Sequence, residues 1–312
     1  MPTLYTSLLA RQRGTGTLAP KLQRPSIPKH IESRSQEGHN ELVFDAHKGV
    51  LEEIVSIERP TRSVGVIGAG LAGLSAAYEL RKRGYSVSVV EASERPGGRT
   101  WSTDHLGGHH VMDRGAELIG SNHPLWLNYA DTFKLGFSDV VEYANSPILL
   151  GKTPLRPRQE KILLKQMGIA FDHISARSKR IVDPFAPWTD PQAPELDEKN
   201  VYDFVMRTPW PRLCKTAVLQ QLESDNGVPA QDQSLLGLLA MVKGGGMERY
   251  WEDTEVYRCR RGTQSLSFAF EAALRAMNVS MIYNSPVGGI DATGETVKLQ
   301  RVKAMLRLNS MM

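Results

Sequence analysis

Three glycines and a downstream acid stand out between Val64 and Arg99, which read VGVIGAGLAGLSAAYELRKRGYSVSVVEASERPGGR. Gly68, Gly70 and Gly73 form a G-x-G-x-x-G turn, and each glycine has its own reason to be there. Gly68 allows the tight turn, Gly70 lets backbone approach a pyrophosphate, and Gly73 lets a helix pack on a strand. Leu71 and Ala72 lie where that helix would begin, with free N–H groups and the positive dipole end facing a phosphate. Glu91 stands 18 residues beyond Gly73. An acid there would accept hydrogen bonds from an adenosine ribose and repel a 2′-phosphate. The chemistry implied is dinucleotide binding.

The elements that must position these residues are legible on both sides. Val64 to Ile67 is a short apolar run that reads as a strand. Leu74, Ala77 and Leu80 recur at helical spacing, Gly84 sits where that helix would be capped, and Val87, Val89 and Val90 form a second strand. Together they make a βαβ unit of about 30 residues.

The rest of the chain gives weaker expectations. The apolar residues of 41–61 predict a short helix, and His105 to Met112 predicts a glycine-rich hairpin. His109 and His110 are adjacent, so on a strand they point to opposite faces, and no metal site is expected. Pro124 should open a helix with Leu125, Tyr129 and Phe133 on one face and Gly136 as its stop. Residues 161–182 read as an amphipathic helix with Leu163, Met167, Ala170, Ile174 and Ile181 inward. The proline-rich stretch 183–194 should be irregular. Helices are expected at 198–207, 211–223 and 232–242, so that 155–242 is mostly helical. Strands are expected around 255–259 and 279–283, on either side of a helix capped by Thr263.

Composition narrows the class. The chain has 312 residues, 41% hydrophobic and 23% charged, the mix of a soluble globular protein with a sizeable core. The net charge of +4 is supplied by residues 1–40, and no folded face combines basic and aromatic residues, so nucleic acid is not an expected partner. Cys214 and Cys259 have no metal-type spacing and read as thiols in a reducing compartment. No run is long and apolar enough for a transmembrane segment. The acid-poor composition up to Glu32 fits a disordered arm or a transit peptide. A cytoplasmic location is expected, with a mitochondrial one as the alternative.

With the glycine turn, the segment EASERPGGR at 91–99 resembles the opening of the flavin amine oxidases, a family that includes monoamine, polyamine and L-amino-acid oxidases. The likeness runs from about Ser63 to Thr296, with DRGAELIGSNHP at 113–124, VKGGGMERYW at 242–251, EVYRC at 255–259 and SPVGGI at 285–290 in family order. It implies an α/β fold, a Rossmann-like FAD-binding domain with a mostly helical substrate-domain insertion. The expected organisation is an N-terminal extension over 1–61, disordered in part, and an FAD-binding first part over 62–150. A helical insertion over 151–254 and a return to the FAD-binding domain over 255–312 complete it.

Carried over residue by residue, the resemblance implies that Gly68, Gly70, Leu71, Ala72 and Gly73 hold the pyrophosphate. Glu91 would bind the ribose with Ala92 beside it, and Arg99, after Gly97 and Gly98, would reach a phosphate. Gly115, Ala116, Glu117 and Leu118 match the turn lying against the flavin ring, and Val287 the strand position whose main chain meets the adenine. The implied reaction is hydride transfer from an amine or amino acid to flavin N5, giving an imine, with O2 as electron acceptor and H2O2 as product. Where some L-amino-acid oxidases carry an arginine for the substrate carboxylate, this chain has Leu118, which tilts the expectation towards simple amines. Arg261 replaces the second glycine that relatives have before the next helix. The family pattern continues past residue 312, and Val302 to Met312 no longer follows it. The chain therefore reads as lacking the C-terminal part, including the family's flavin-facing lysine, and no catalytic residue is assigned. A catalytically silent flavin-binding protein, or another flavoprotein with the same GGR opening such as a desaturase or protoporphyrinogen oxidase, is the alternative.

Overall fold

The structure is a computed structural model and describes residues 3–13, 43–45, 50–52, 63–104, 111–140, 148–150, 153–294 and 296–302. In chain order the first elements are α1 (Leu4–Arg13), β1 (Val43–Asp45), β2 (Val50–Glu52), β3 (Ser63–Ile67), α2 (Leu71–Lys82) and β4 (Ser86–Val90). Three short strands follow, β5 (Ser102–Thr103), β6 (Met112–Asp113) and β7 (Leu118–Ile119), then α3 (Pro124–Thr132), β8 (Phe137–Asp139), β9 (Leu149–Leu150) and β10 (Thr153–Pro154). A helical stretch comprises α4 (Pro157–Ser178), α5 (Ala193–Asp197), α6 (Val201–Met206), α7 (Arg212–Asn226), α8 (Leu235–Gly244) and α9 (Glu248–Asp253). The described chain closes with β11 (Tyr257–Cys259), α10 (Gln264–Ala276), β12 (Ser280–Ile282), β13 (Val287–Asp291) and β14 (Lys298–Arg301).

The molecule is α/β and divides into two compact units. One comprises Met1–His30, Leu118–His123 and Ser138–Arg258, the other Ile31–Glu117, Pro124–Phe137 and Cys259–Met312.

The second unit is built on a three-stranded parallel sheet in the order β12-β4-β3. Ser63 to Ile67 pair in register with Ser86 to Val90, and Ser280 to Ile282 with Ser88 to Val90. Parallel strands need a crossover, and α2 supplies it between β3 and β4. Gly84, at φ +89°, turns the chain after α2. Leu74 and Ala77 of α2 are fully buried with Val89 of β4, and Leu266, Phe270 and Leu274 of α10 complete the core. Around it Tyr78, Tyr129 and Phe133 meet Phe270 edge-on, with ring centroids 5.6, 4.7 and 5.0 Å away. Each such pair adds about 1 kcal/mol to simple burial. Tyr129 also donates its hydroxyl to buried Glu79 at 3.0 Å.

The first unit is mainly helical. On α4 the predicted inward residues Leu163, Met167, Ala170 and Ile174 are all buried, as is Ile181 just beyond the helix. The helix begins earlier than its apolar pattern, with Pro157 in its first turn and Gln159 Oε1 accepting from the Arg156 N–H at 2.9 Å. Phe171 stacks on Trp251 at 4.0 Å with the rings 5° from parallel, and Trp251 Nε1 donates to Ser175 Oγ. The helices expected at 198–207, 211–223 and 232–242 are present as α6, α7 and α8. Asn200 and Ser234 cap α6 and α8, and Gly227, left-handed at φ +64°, ends α7.

Several local expectations fail for physical reasons. Residues 43–45 and 50–52 pair as antiparallel strands, not a helix. Their apolar residues fall in two short runs, rich in β-branched and aromatic side chains, on either side of Gly49. Leu125 is exposed, and Leu127, Tyr129 and Ala130 are the buried face of α3. That helix ends at Thr132, and the left-handed turn after it is made by Lys134 at φ +57°, ahead of Gly136. The stretch after Asp183 contains a 3-10 turn (Pro187–Thr189) and the short α5. Helix α1 was not predicted. It buries Leu8 to 2% exposure, sets Tyr5 edge-on to Phe171 at 4.9 Å, and pairs Arg11 with Glu160 at 3.3 Å.

Candidate cofactor site

The two glycine-rich segments of the sequence meet in the sheet-based unit. Gly68, at φ +100°, turns the chain sharply out of β3, and its N–H donates to the Val90 carbonyl at 2.7 Å. A Cβ on Gly73 would stand 2.0 Å from the Gly68 carbonyl oxygen, so only glycine lets α2 approach β3 this closely. Gly70 differs from both: its φ of −74° suits any residue, but nothing lies within 4 Å of where its Cβ would be. That space adjoins the start of α2, which has no side-chain cap and no acid in its first turn. The N–H groups of Leu71, Ala72 and Gly73 fall at the end of the helix where partners must come from outside it.

The second segment closes on the first. Gly97 donates its N–H to the Ala69 carbonyl at 2.8 Å and forms a parallel bridge with Gly70. Gly97 and Gly98 both take positive φ, +115° and +56°, and a Cβ on Gly98 would lie 3.5 Å from Gly70 Cα. Arg99 follows, exposed beside exposed Gly98.

Glu91 ties the turn to the end of β4. Its Oε2 accepts the Ala69 N–H at 2.6 Å, and its Oε1 accepts the Ser93 N–H and hydroxyl, both at 2.8 Å. Burial pushes this carboxyl upward, but hydrogen bonds from the Ser93 and Ala69 backbone and the Ser93 hydroxyl outweigh it and hold the pKa below the usual value. A carboxylate keeps about four acceptor sites, so Glu91 retains capacity for a ligand hydroxyl. The segment leading into β13 lies alongside, with Ser285 donating to the Glu91 carbonyl and Asn284 to that of Ser93, each at 2.9 Å. Val287 begins β13 two residues beyond Ser285, and Ala92 is exposed.

Gly115 and Ala116 pack on the far side of the GGR segment. A Cβ on Gly115 would stand 2.0 Å from the Arg99 carbonyl oxygen, which accepts the Ala116 N–H at 3.1 Å. Glu117 is half-buried. Leu118 belongs to the other unit, where it pairs with Arg258 across β7 and β11.

Further groups support the site, Gln264 and Thr263 through partners remote in the chain and Arg95 through nearby ones. Gln264, at the start of α10 and only 2% exposed, donates Nε2 to the Pro96 carbonyl at 2.8 Å and accepts the Ser102 N–H at 2.9 Å. Thr263 is not the side-chain cap expected of it; its hydroxyl serves Ala116 O and Asp113 Oδ1 at 2.5 and 3.1 Å. Arg95 donates to the carbonyls of Gly98 and Thr100, each at 3.0 Å, and lies over the Trp101 ring at 4.7 Å, with Arg114 over the same ring at 4.2 Å. Arg261 is accommodated without left-handed backbone, since Gly262 alone takes positive φ there, +79°. Arg95, bonded to the Gly98 carbonyl, thus puts positive charge beside glycine-lined backbone, with exposed Arg99 next in the chain, a setting for phosphate. His109 and His110 lie outside the described residues, and among those described no group of acids, histidines and cysteines could hold a metal ion. No described helix is long and apolar enough to cross a membrane.

Amine oxidase A from Sus scrofa is 24% identical over 241 residues, covering 75% of this chain and 45% of that protein. The flavin-containing amine oxidase of Oncorhynchus mykiss is 27% identical over 247 residues, covering 77% and 47%. The chain spans about half the length of the curated relatives it matches. Among solved structures, cyclohexylamine oxidase from Brevibacterium oxydans superposes with a TM-score of 0.62 at 23% identity, over 78% of this chain and 56% of that one. A putrescine oxidase variant gives 0.64 at 21% over 77% and 54%; both likenesses show the fold. The family profile described as flavin containing amine oxidoreductase matches residues 71–304, three-quarters of the sequence, and the chain belongs to that family, whose cofactor is a flavin.

Proposed function

We propose that this chain binds FAD in its sheet-based unit and serves the oxidation of a primary or secondary amine to an imine. The observation that carries the reading is the juxtaposition of open space at Gly70, an uncapped α2 N-terminus and the Gly97–Gly98 turn, with Glu91 at one end. Gly70 and Gly98 keep bare backbone where the pyrophosphate would lie, and the first N–H groups of α2, at Leu71, Ala72 and Gly73, would donate to it. Arg99 supplies charge-assisted bonds to phosphate. Glu91 accepts from the ribose, with Ala92 small enough not to obstruct it, and the main chain at Val287 borders the adenine. Gly115, Ala116, Glu117 and Leu118 form the turn beside the flavin ring. Bound FAD supplies the hydride acceptor, and reoxidation by O2 releases H2O2.

In this reading residues 62–150 and 255–312 form the Rossmann-like FAD-binding part, and 151–254 the helical insertion that holds the amine. The family's range of named amine substrates supports an amine as partner; the particular amine is a matter for screening. A second reading is flavin binding without turnover. Anaerobic addition of amines to the flavin-loaded chain separates the two. Bleaching of the visible flavin band by an amine supports oxidation, and a band unchanged by every amine class, in a chain that retains flavin, supports the silent reading.

A further inference from the structure

Helix α4 meets its need for apolar packing on one side, where Leu163, Met167, Ala170, Phe171 and Ile174 are buried. Its other side nevertheless carries Ile162 and Ile169, 56% and 57% exposed. The two stand seven residues apart, two turns along one stripe, and exposed Lys165 lies between them, three residues from one and four from the other. Arg158 and Lys161 are exposed on the same side. At 3.6 residues per turn these five positions fall within about 100° of the helix circumference and span about 16 Å of its length. From Leu155 to Phe171 the chain has four cations, Arg156, Arg158, Lys161 and Lys165, and one acid, Glu160. Glu160 is paired with Arg11 of α1 at 3.3 Å, which brings a further cation to the helix. Arg158, Lys161 and Lys165 form no ion pair among the described residues. The next acid along the stripe is Asp172, three residues beyond Ile169. A single exposed isoleucine is ordinary. Two on one stripe, set among unpaired cations, suit a surface that is apolar just beneath a layer of negative charge, which is the profile of an anionic bilayer. The stripe carries no aromatic ring on which bases could stack, so a nucleic acid fits it less well.

We propose that the outer face of α4 docks the protein reversibly on an anionic membrane surface, with Ile162 and Ile169 at the headgroup boundary and Arg158, Lys161 and Lys165 on the lipid phosphates and carboxylates. The long stems of the cations let their charges reach the headgroups while the isoleucine side chains sit deeper. No described helix is long and apolar enough to cross a membrane, and this docking needs none, because α4 lies in the plane of the surface. With two apolar side chains and three free cations the attachment is weak and sensitive to salt. The inference concerns the helical unit alone and does not depend on the cofactor reading.

The test is flotation of the full chain with lipid vesicles on a density gradient, in which aggregated protein stays at the bottom. Vesicles of phosphatidylcholine with phosphatidylserine are compared with vesicles of phosphatidylcholine alone. The native chain is expected to float with the first and not with the second, and to be released by salt at about 0.5 M, where the Debye length falls to about 4 Å. Each cation near such a surface raises partition about fivefold, so Lys161→Gln with Lys165→Gln should lower it by at least about tenfold. Ile162→Ser with Ile169→Ser leaves every charge in place and should also lower it about tenfold. All four positions are exposed, so both double variants should keep the native far-UV circular dichroism. Lys161→Arg with Lys165→Arg, which keeps the charge, should float as the native chain does. No flotation with the anionic vesicles, equal flotation with the neutral ones, or native partition by either folded double variant would overturn the assignment.

Discussion

Two alanine substitutions three residues apart should fail in opposite ways. At Gly73 the added Cβ would meet the Gly68 carbonyl oxygen at 2.0 Å, with the Gly68 carbonyl carbon at 3.1 Å and Val66 Cγ1 at 3.3 Å. An ordinary contact is about 3.5 Å, so α2 would have to move away from β3 by more than 1 Å. The obstacle is backbone and cannot rotate aside. That movement loosens Leu74 and Ala77, both at 0% exposure, and the cost belongs at the upper end of overpacking, about 3 kcal/mol. For a domain of this size that is a fall in Tm of roughly 6–12 °C. At Gly70 the Cβ meets nothing within 4 Å and φ is −74°, so Gly70→Ala should leave the flavin-free melting point unchanged or raise it by a degree or two through the unfolded state. The methyl would occupy the space assigned to pyrophosphate, and flavin affinity should fall by at least tenfold, about 1.4 kcal/mol. Differential scanning fluorimetry without flavin, followed by flavin titration, reads both effects. A Gly73→Ala chain that melts like the native one, or a Gly70→Ala chain that binds flavin as tightly as the native one, would contradict these roles for the two glycines.

Three further substitutions test the supports. Gln264→Ala orphans the Pro96 carbonyl and the Ser102 N–H, which should cost about 2–3 kcal/mol in denaturant unfolding and speed flavin release; unchanged stability and release would exclude the anchoring role. Leu8→Ala removes a side chain at 2% exposure and should cost about 2–4 kcal/mol, whereas a chain that unfolds at the native urea midpoint would show that α1 is not docked. Glu91→Gln should destabilise the native state, because an amide cannot reproduce the acceptance of the Ala69 and Ser93 groups. Since the folded pKa of Glu91 is depressed, its contribution is fully present above the ordinary value of 4.5 and is lost as pH falls through the lower folded value. The difference between native and variant stability should therefore shrink below about pH 4.5, and a difference constant down to strongly acidic pH would contradict the linkage.

The parts of the cofactor region legible in the sequence are those set by local stereochemistry. Gly68 and Gly97 need left-handed backbone, Gly73 needs a missing Cβ, and such demands appear as glycines at fixed spacing. The hydrophobic periods that mark β3, α2 and β4 are equally local. What could not be read was the support from afar. Gln264 reaches Pro96 across 168 residues of chain, and nothing in the type of either residue announces the contact. Thr263 looks like a helix cap because hydroxyls often cap, but its hydroxyl is directed as a donor at the Ala116 carbonyl and the Asp113 carboxylate, both remote in the chain, and accepts no cap bond. Helix α1 was missed because its basic, acid-free composition matches a disordered arm. Only packing, with Leu8 in the core and the Tyr5 N–H donated to Gln221 Oε1 at 3.1 Å, makes it a helix. Spacing alone places Leu125 inward, though α3 presents the neighbouring stripe through Leu127 and Ala130 to the core.

We propose above that the glycine cradle around Gly70 and Gly98 holds FAD. The most direct test is to mix the full chain with FAD, desalt it, and record the visible flavin spectrum against protein concentration. Near-stoichiometric retained flavin, lost in Gly70→Ala, is the predicted result; a folded native chain that retains none would contradict the account.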